Sequence, residues 1–188
     1  MPTPLGHALG AFAAGWVVAG APGPEAAHLV SPDEGPSGLV LARQPRWWPR
    51  AAWLAAIGMA ADVDLLFGVH SAYTHSVGAA AVVAALVSVF SRTQRVRLGL
   101  AAAAAYLSHV VFDLLGQDTS LPLGVMALWP FTPEHFYTGV ELFFPTDRRY
   151  WLPGFWVRNL KAVAWELMVV GPLAAGAWWV RRRRSSRL

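Results

Sequence analysis

The sequence predicts an all-α, polytopic membrane bundle with about five apolar helices, and three observations carry that reading. The chain has 188 residues, is 55% hydrophobic and only 14% charged, and has a mean hydropathy of +0.40; a soluble domain carries roughly 25% charged residues. Its apolar residues fall in long runs separated by short polar, Pro-rich stretches, the pattern of spans and loops. Its ten tryptophans lie mostly near the ends of those runs, where indoles collect at a lipid–water boundary. The length suits one domain over 1–188. There is no cysteine, so any metal must be held by His, carboxylate, backbone or water.

The first helix is expected over Leu5–Ala21, where Pro22 and Pro24 stop it. Without a basic n-region before it, this run reads as a retained span rather than a signal peptide. Residues 23–49 are polar and rich in Pro and Gly, which makes a loop. Arg50–Ala61 is a short second helix ending in Asp62-Val63-Asp64, and Leu65–Tyr73, with Gly68, is a connector. The third helix is expected over Thr74–Phe90 with Thr74 as its N-cap. The fourth is expected over Leu98–Leu115, closed by Gly116. Residues 117–158 form a long connection rich in aromatics. Leu160–Val180 is the last helix, with Gly171-Pro172 as a kink point.

Basic residues orient these elements. Arg43, Arg46 and Arg50 mark the first loop, and Arg92, Arg95 and Arg97 mark the turn after the third helix. Arg181–Arg184 and Arg187 mark the 181–188 tail. The positive-inside rule places all three on the cytoplasmic side. Five spans with the N-terminus outside and the C-terminus inside satisfy this, with the short second span tilted or only partly inserted. The tail is read as an anchor, and nothing else in the chain points to a nucleic-acid partner.

That topology collects the ionisable residues at the outer ends of the helices. His7 lies at the start of the first helix, and Asp62 and Asp64 at the end of the second. His70 and His75 flank the start of the third, and His109 and Asp113 lie in the second half of the fourth. His109 and Asp113 are four apart and so share one helix face. Asp62 and Asp64 are two apart and can share a target only if the helix has ended there. Three carboxylates and four neutral imidazoles suit two or three divalent ions. A proton or ion pathway would also place such groups at one membrane depth. Thr74 and Ser76 could orient ligands. Trp129, His135 and Glu141, with Asp118, share the outer connection and could line the site; His28 lies apart in the inward loop.

At these residues the chain resembles the YdjM-like inner-membrane metal-dependent hydrolases. The matching pieces are Pro4-Leu5-Gly6-His7 with Gly10, Asp62-Val63-Asp64, His70 through Thr74-His75-Ser76, His109 with Asp113 and Gly116, and Leu128-Trp129-Pro130-Phe131. Many members carry Arg-Gly directly after the first of these paired histidines, where this chain has Ser71-Ala72. A cation for a phosphate would then come from Arg148, Arg149 or Arg158. The His-x-x-x-Asp helix is also similar to one in zinc phospholipases C and the related single-strand nucleases. These resemblances imply zinc as the metal, phosphoester hydrolysis as the reaction and the cytoplasmic membrane as the location.

The expected activity is therefore hydrolysis of a lipid or lipid-linked phosphoester at the outer leaflet. Asp64, His75 and Asp113 are the expected catalytic residues, with Asp64 as the base by position. Two rivals use the same ligands: a metal-ion or proton transporter, and a non-catalytic membrane scaffold with a structural metal. The inner halves of the helices hold little besides Ser88 and Ser91 for a transport path.

Overall fold

Helix α1 (Pro4–Ala19) starts where the sequence says it should. Pro4 occupies the first turn, where its missing N–H costs nothing, and the N-cap Thr3 accepts a hydrogen bond from Gly6 N at 3.2 Å. The structure is a computed structural model, which describes residues 1–20, 48–67, 70–119 and 121–185. Most of the expected 23–49 loop, with His28, Arg43 and Arg46, lies outside the described residues, as do Gly68 and Arg187.

Helix α2 (Trp48–Met59) passes directly into a 3₁₀ helix over Ala60–Phe67. The α-helix has thus ended before Asp62 and Asp64. Helix α3 runs over Val77–Phe90, α4 over Arg95–Leu114 and α5 over Phe155–Ser185. The cap of α3 is Ser76, not Thr74: Ser76 Oγ accepts from Ala79 N at 3.1 Å and donates to the Tyr73 carbonyl at 2.6 Å. This frees Thr74 to face the ionisable cluster. Gly116 does not close α4 with a left-handed turn. It leaves room for the N-terminus instead, because a Cβ there would lie 3.0 Å from Met1 Cα and from Pro2 Cδ. Helix α5 runs unbroken through Pro172.

Among the described residues five α-helices form, but not as five spans. Of these, only Arg95–Leu114 and Phe155–Arg183 are long and apolar enough to cross a membrane. At 16 and 14 residues, α1 and α3 reach only about 24 and 21 Å against a hydrocarbon core of about 30 Å. The caps, Thr3 and Gly20 for α1 and Ser76 and Ser91 for α3, bound helices shorter than the expected 5–21 and 74–90. No strand forms among the described residues; the connection carries two isolated bridges, Gly116 with Phe143 and Val125 with Phe136.

Helices α1 and α4 form the centre. Helices α2 and α5 pack on α1, α2 also packs on α4, and α3 packs on α4. Small residues let the backbones approach: a Cβ on Gly15 would meet Leu54 and Ala105, and one on Gly10 would meet the Phe112 ring. The apolar outer faces of α3 and α5 stay exposed at Leu86, Phe90, Leu160, Met168 and Leu173, as lipid-facing surfaces do.

The two ends of the bundle differ in charge. At the C-terminal end of α1, Arg50 donates to the Gly20 carbonyl at 3.2 Å, Arg97 to Val18 at 3.4 Å and Arg181 to Val17. Three cations thus satisfy the carbonyls that end a helix, where its dipole is negative. The histidines and aspartates gather at the opposite end, beside the start of α1.

Candidate metal centre

The seven residues expected at the outer ends converge. They form two groups whose ligand atoms lie within 4.8 Å of one another: Asp62, Asp64, His70 and His75, and His7, His109 and Asp113. Asp113 links them. Its Oδ1 lies 3.4 Å from His7 Nε2, and its Oδ2 lies 3.1 Å from His109 Nε2 and 3.3 Å from His75 Nε2. Asp62 Oδ1 lies 3.6 Å from His109 Nε2 and 3.8 Å from His75 Nε2. The His7 and His109 rings stack with centroids 3.7 Å apart.

Hydrogen bonds set the tautomers. His109 Nδ1 lies 2.7 Å from the Gly58 carbonyl, which can only accept, so Nδ1 carries the proton. His75 Nδ1 lies 3.1 Å from Asp64 Oδ2 and 3.0 Å from Thr74 Oγ1, while the Thr74 hydroxyl donates to Asp64 Oδ2 at 2.7 Å. His75 Nδ1 is therefore the donor as well. In the neutral rings both Nε2 atoms present lone pairs, and these two atoms face each other at 3.2 Å. At that distance the two atoms need either a proton on one of them or a cation beside them.

The polar accounting agrees. His7, His75, His109 and Asp113 are all at most 2% exposed, yet neither Asp113 oxygen has an aligned hydrogen-bond partner, nor does His7 Nδ1. A buried carboxylate without partners is costly. The nitrogens crowd it at 3.1 to 3.4 Å without hydrogen-bond alignment, which suits ligands aimed at a shared ion. The residues present therefore fit divalent metal of the His-and-carboxylate kind.

Asp64 plays a different part from Asp113. Its Oδ2 accepts from Ser71 N at 3.1 Å as well as from Thr74 and His75, and its Oδ1 lies 3.0 Å from His70 Nδ1. Burial opposes its charge, but the hydrogen bonds from His70, His75 and Thr74 outweigh that and hold its carboxyl well below the usual carboxylate range. Ser71 takes a left-handed backbone, φ 67°, which aims its N–H at this carboxylate. Asp62 and Asp64, two apart, reach opposite nitrogens of the same His75 ring.

Such a carboxylate–imidazole pair orients a ligand and raises its basicity. Thr74→Ala and Asp64→Asn are each expected to weaken metal binding by about 10- to 100-fold without unfolding the protein, as read by competition with a chelating dye. Unchanged affinity in both would remove the orienting role.

The remaining expected residues fall outside the cluster. Glu141 pairs with Tyr137 Oη at 2.7 Å and Gln117 at 3.3 Å. Trp129 lends its carbonyl to Gly78 N and packs its ring on Tyr73. Ser76 caps α3. His135 lines neither of the cavities described below. Three contributors were not singled out in the sequence. Gly58 supplies a carbonyl, which no sequence signal marks. Thr3 and Glu166 meet at the start of α1: Glu166 accepts from Thr3 N at 2.7 Å and from the Thr3 hydroxyl. Glu166 is the one acid in 155–185, and an acid inside an apolar span is a signal that could have found it.

Fold and site together define a class: a helical protein of the membrane with a buried His/Asp centre able to hold metal. Residues 1–185 match the YdjM inner membrane protein family, and the chain belongs to it. No curated protein and no solved structure matches the chain.

Proposed function

We propose that this protein is a metal-dependent hydrolase of the cytoplasmic membrane that cleaves a phosphoester of a lipid or lipid-linked substrate at the outer leaflet. The observation that carries the reading is the pair of facing His75 and His109 Nε2 atoms beside the buried Asp113 carboxylate, which three imidazoles approach without an aligned hydrogen bond. His7, His109 and Asp113 would hold one ion and His70, His75 and Asp62 Oδ1 another, leaving the second Asp62 oxygen to take a proton, with zinc the best match to this cysteine-free set. Bound there, divalent ions would supply Lewis-acid activation of a phosphoryl group and of water.

The chain's own residues supply the rest. Asp62 is the most exposed of the three acids, 26% against 8% for Asp64 and 1% for Asp113, and it lines a cavity of about 350 Å³ beside the centre. It is better placed as base than Asp64, whose Oδ2 already serves three donors and whose Oδ1 faces His70. Water would add through its oxygen to phosphorus and lose a proton to Asp62. The P–O ester bond would break, and the departing alkoxide would take that proton back from Asp62 and leave as the alcohol, while the second proton of the water stays on the phosphate. The arginines at the far end of α1 support the cytoplasmic assignment of that end and hence the outward-facing site.

Purified protein should contain bound metal by mass spectrometry and should release phosphate or headgroup from mixed lipid vesicles, with loss on chelation and recovery on zinc addition. Metal flux in proteoliposomes without any hydrolysis would favour transport instead. Metal without either activity would favour a scaffold.

A further inference from the structure

Two cavities meet at the centre, and they differ in character. The one of about 350 Å³ is walled by His7, Asp62 and Asp113 on one side and by the apolar Leu65, Phe155 and Trp156 on another. The second, of about 480 Å³, is walled by polar groups of the outer connection, among them Gln117, Asp118, Thr119 and Arg149. His70, Thr146, Asp147 and Arg148 border both. A ligand spanning them would lay an apolar part near the start of α5, where Trp156 and Leu160 are 71% and 63% exposed. Its polar part would enter the larger chamber, and the bond between them would lie beside the centre.

The arginines of this wall are not equivalent. Arg149 and Arg158 both bind Asp147, at 3.2 and 2.7 Å. The Arg149 backbone N–H and the Arg158 side chain hold the Asp147 carboxyl down to about 2, so it stays an anion and keeps both guanidinium groups engaged. Asn159 fixes the same loop through Asp147, donating to its carbonyl at 2.9 Å and accepting from its N–H at 3.0 Å. Arg148 has no carboxylate partner among the described residues, and it sits on the wall the two cavities share. An exposed guanidinium without a carboxylate partner suits bidentate binding of a phosphate oxygen pair.

The geometry points to an amphiphile with a phosphate-bearing anionic headgroup as the ligand of this centre, its phosphate gripped by Arg148 and its tail lying along Leu65, Phe155 and Trp156. This rests on the hydrolase reading and names its substrate class and its specificity residue.

The test uses the full chain in maltoside detergent, with and without zinc, and isothermal titration. The probes are decylphosphonate, whose P–C bond is not hydrolysed, with decanol and inorganic phosphate as its two halves. Decylphosphonate should bind at least tenfold more tightly than either half. Arg148→Ala should weaken it by about tenfold while zinc content stays at the wild-type level, and Arg148→Lys should recover part of the loss. Trp156→Ala should weaken decylphosphonate and leave inorganic phosphate unchanged. Wild-type affinity in Arg148→Ala would overturn the grip. Inorganic phosphate binding as tightly as decylphosphonate would show a site for the free anion and overturn the amphiphile. A zinc-loaded, lipid-cleaving protein indifferent to Arg148 would defeat this inference alone, whereas a protein that takes up no metal would defeat the hydrolase reading.

Discussion

Asp113→Asn protein is expected to fold and to lose its metal. Asp113 is the residue at which both ligand groups meet, with three imidazole Nε2 atoms between 3.1 and 3.4 Å of its oxygens. The amide has nearly the same shape, so helix packing around it should hold. It lacks the negative charge that offsets a divalent ion, and its NH₂ would point a donor where an ion should sit. Loss of an orienting partner lowers metal affinity about 10- to 100-fold, and loss of this shared anion should exceed that. Metal content by mass spectrometry should fall well below half of wild type, and lipid-ester hydrolysis should fall by more than about a hundredfold. In metal-free wild type the buried Asp113 charge is met by imidazoles alone, so Asp113→Asn should unfold at a temperature close to that of the chelated wild type. Full metal content with wild-type hydrolysis in this variant would sink the assignment of the centre.

Glu166→Ala is expected to be the most destabilising change away from the ligands. Glu166 is fully buried on α5, and it holds the backbone N–H and hydroxyl of Thr3 on α1. Hydrogen bonds to a charged group contribute roughly 1.5–3 kcal/mol each, and truncation strands both donors, so a loss of about 3 kcal/mol is expected. The glycine at position 6 makes room for this carboxylate, since a Cβ there would lie 2.6 Å from Glu166 Oε2. The effect should reach the centre, because Thr3 also accepts from His7 N at 3.1 Å and so sets where His7 stands. Thermal unfolding in detergent should fall for Glu166→Ala and for Thr3→Val, and the double variant should lose less than the sum of the two. Additive losses would mean that the two residues act separately.

The seven metal-binding candidates were legible because they share one signal, ionisable groups inside or beside apolar runs, and because the arginines independently marked the other end. The i, i+4 spacing put His109 and Asp113 on one face, as the 3.1 Å contact between them shows. Span lengths were less legible. The apolar run begins with α3 itself at Val77, and whether Thr74 or Ser76 caps it depends on which hydroxyl the cluster takes for itself. The same competition explains why Asp64 read as a base from its position. Nothing in Asp62-Val63-Asp64 distinguishes the two acids until Ser71, Thr74, His70 and His75 fold back onto one of them.

By itself the sequence determined that this is a helical membrane chain with a His/Asp cluster near one end and arginines at the other. Those properties follow from composition, run length and spacing, which act locally along the chain. Only the tertiary structure decided which ionisable residues lie within reach of one another, which carboxylate is engaged by four donors and which is more exposed, and that α5 is tied to the start of α1. Such choices depend on partners far apart in sequence, 34 residues between His75 and His109 and 163 between Thr3 and Glu166. They are made by which donors and acceptors remain unpaired once the helices have packed, and no local pattern records that.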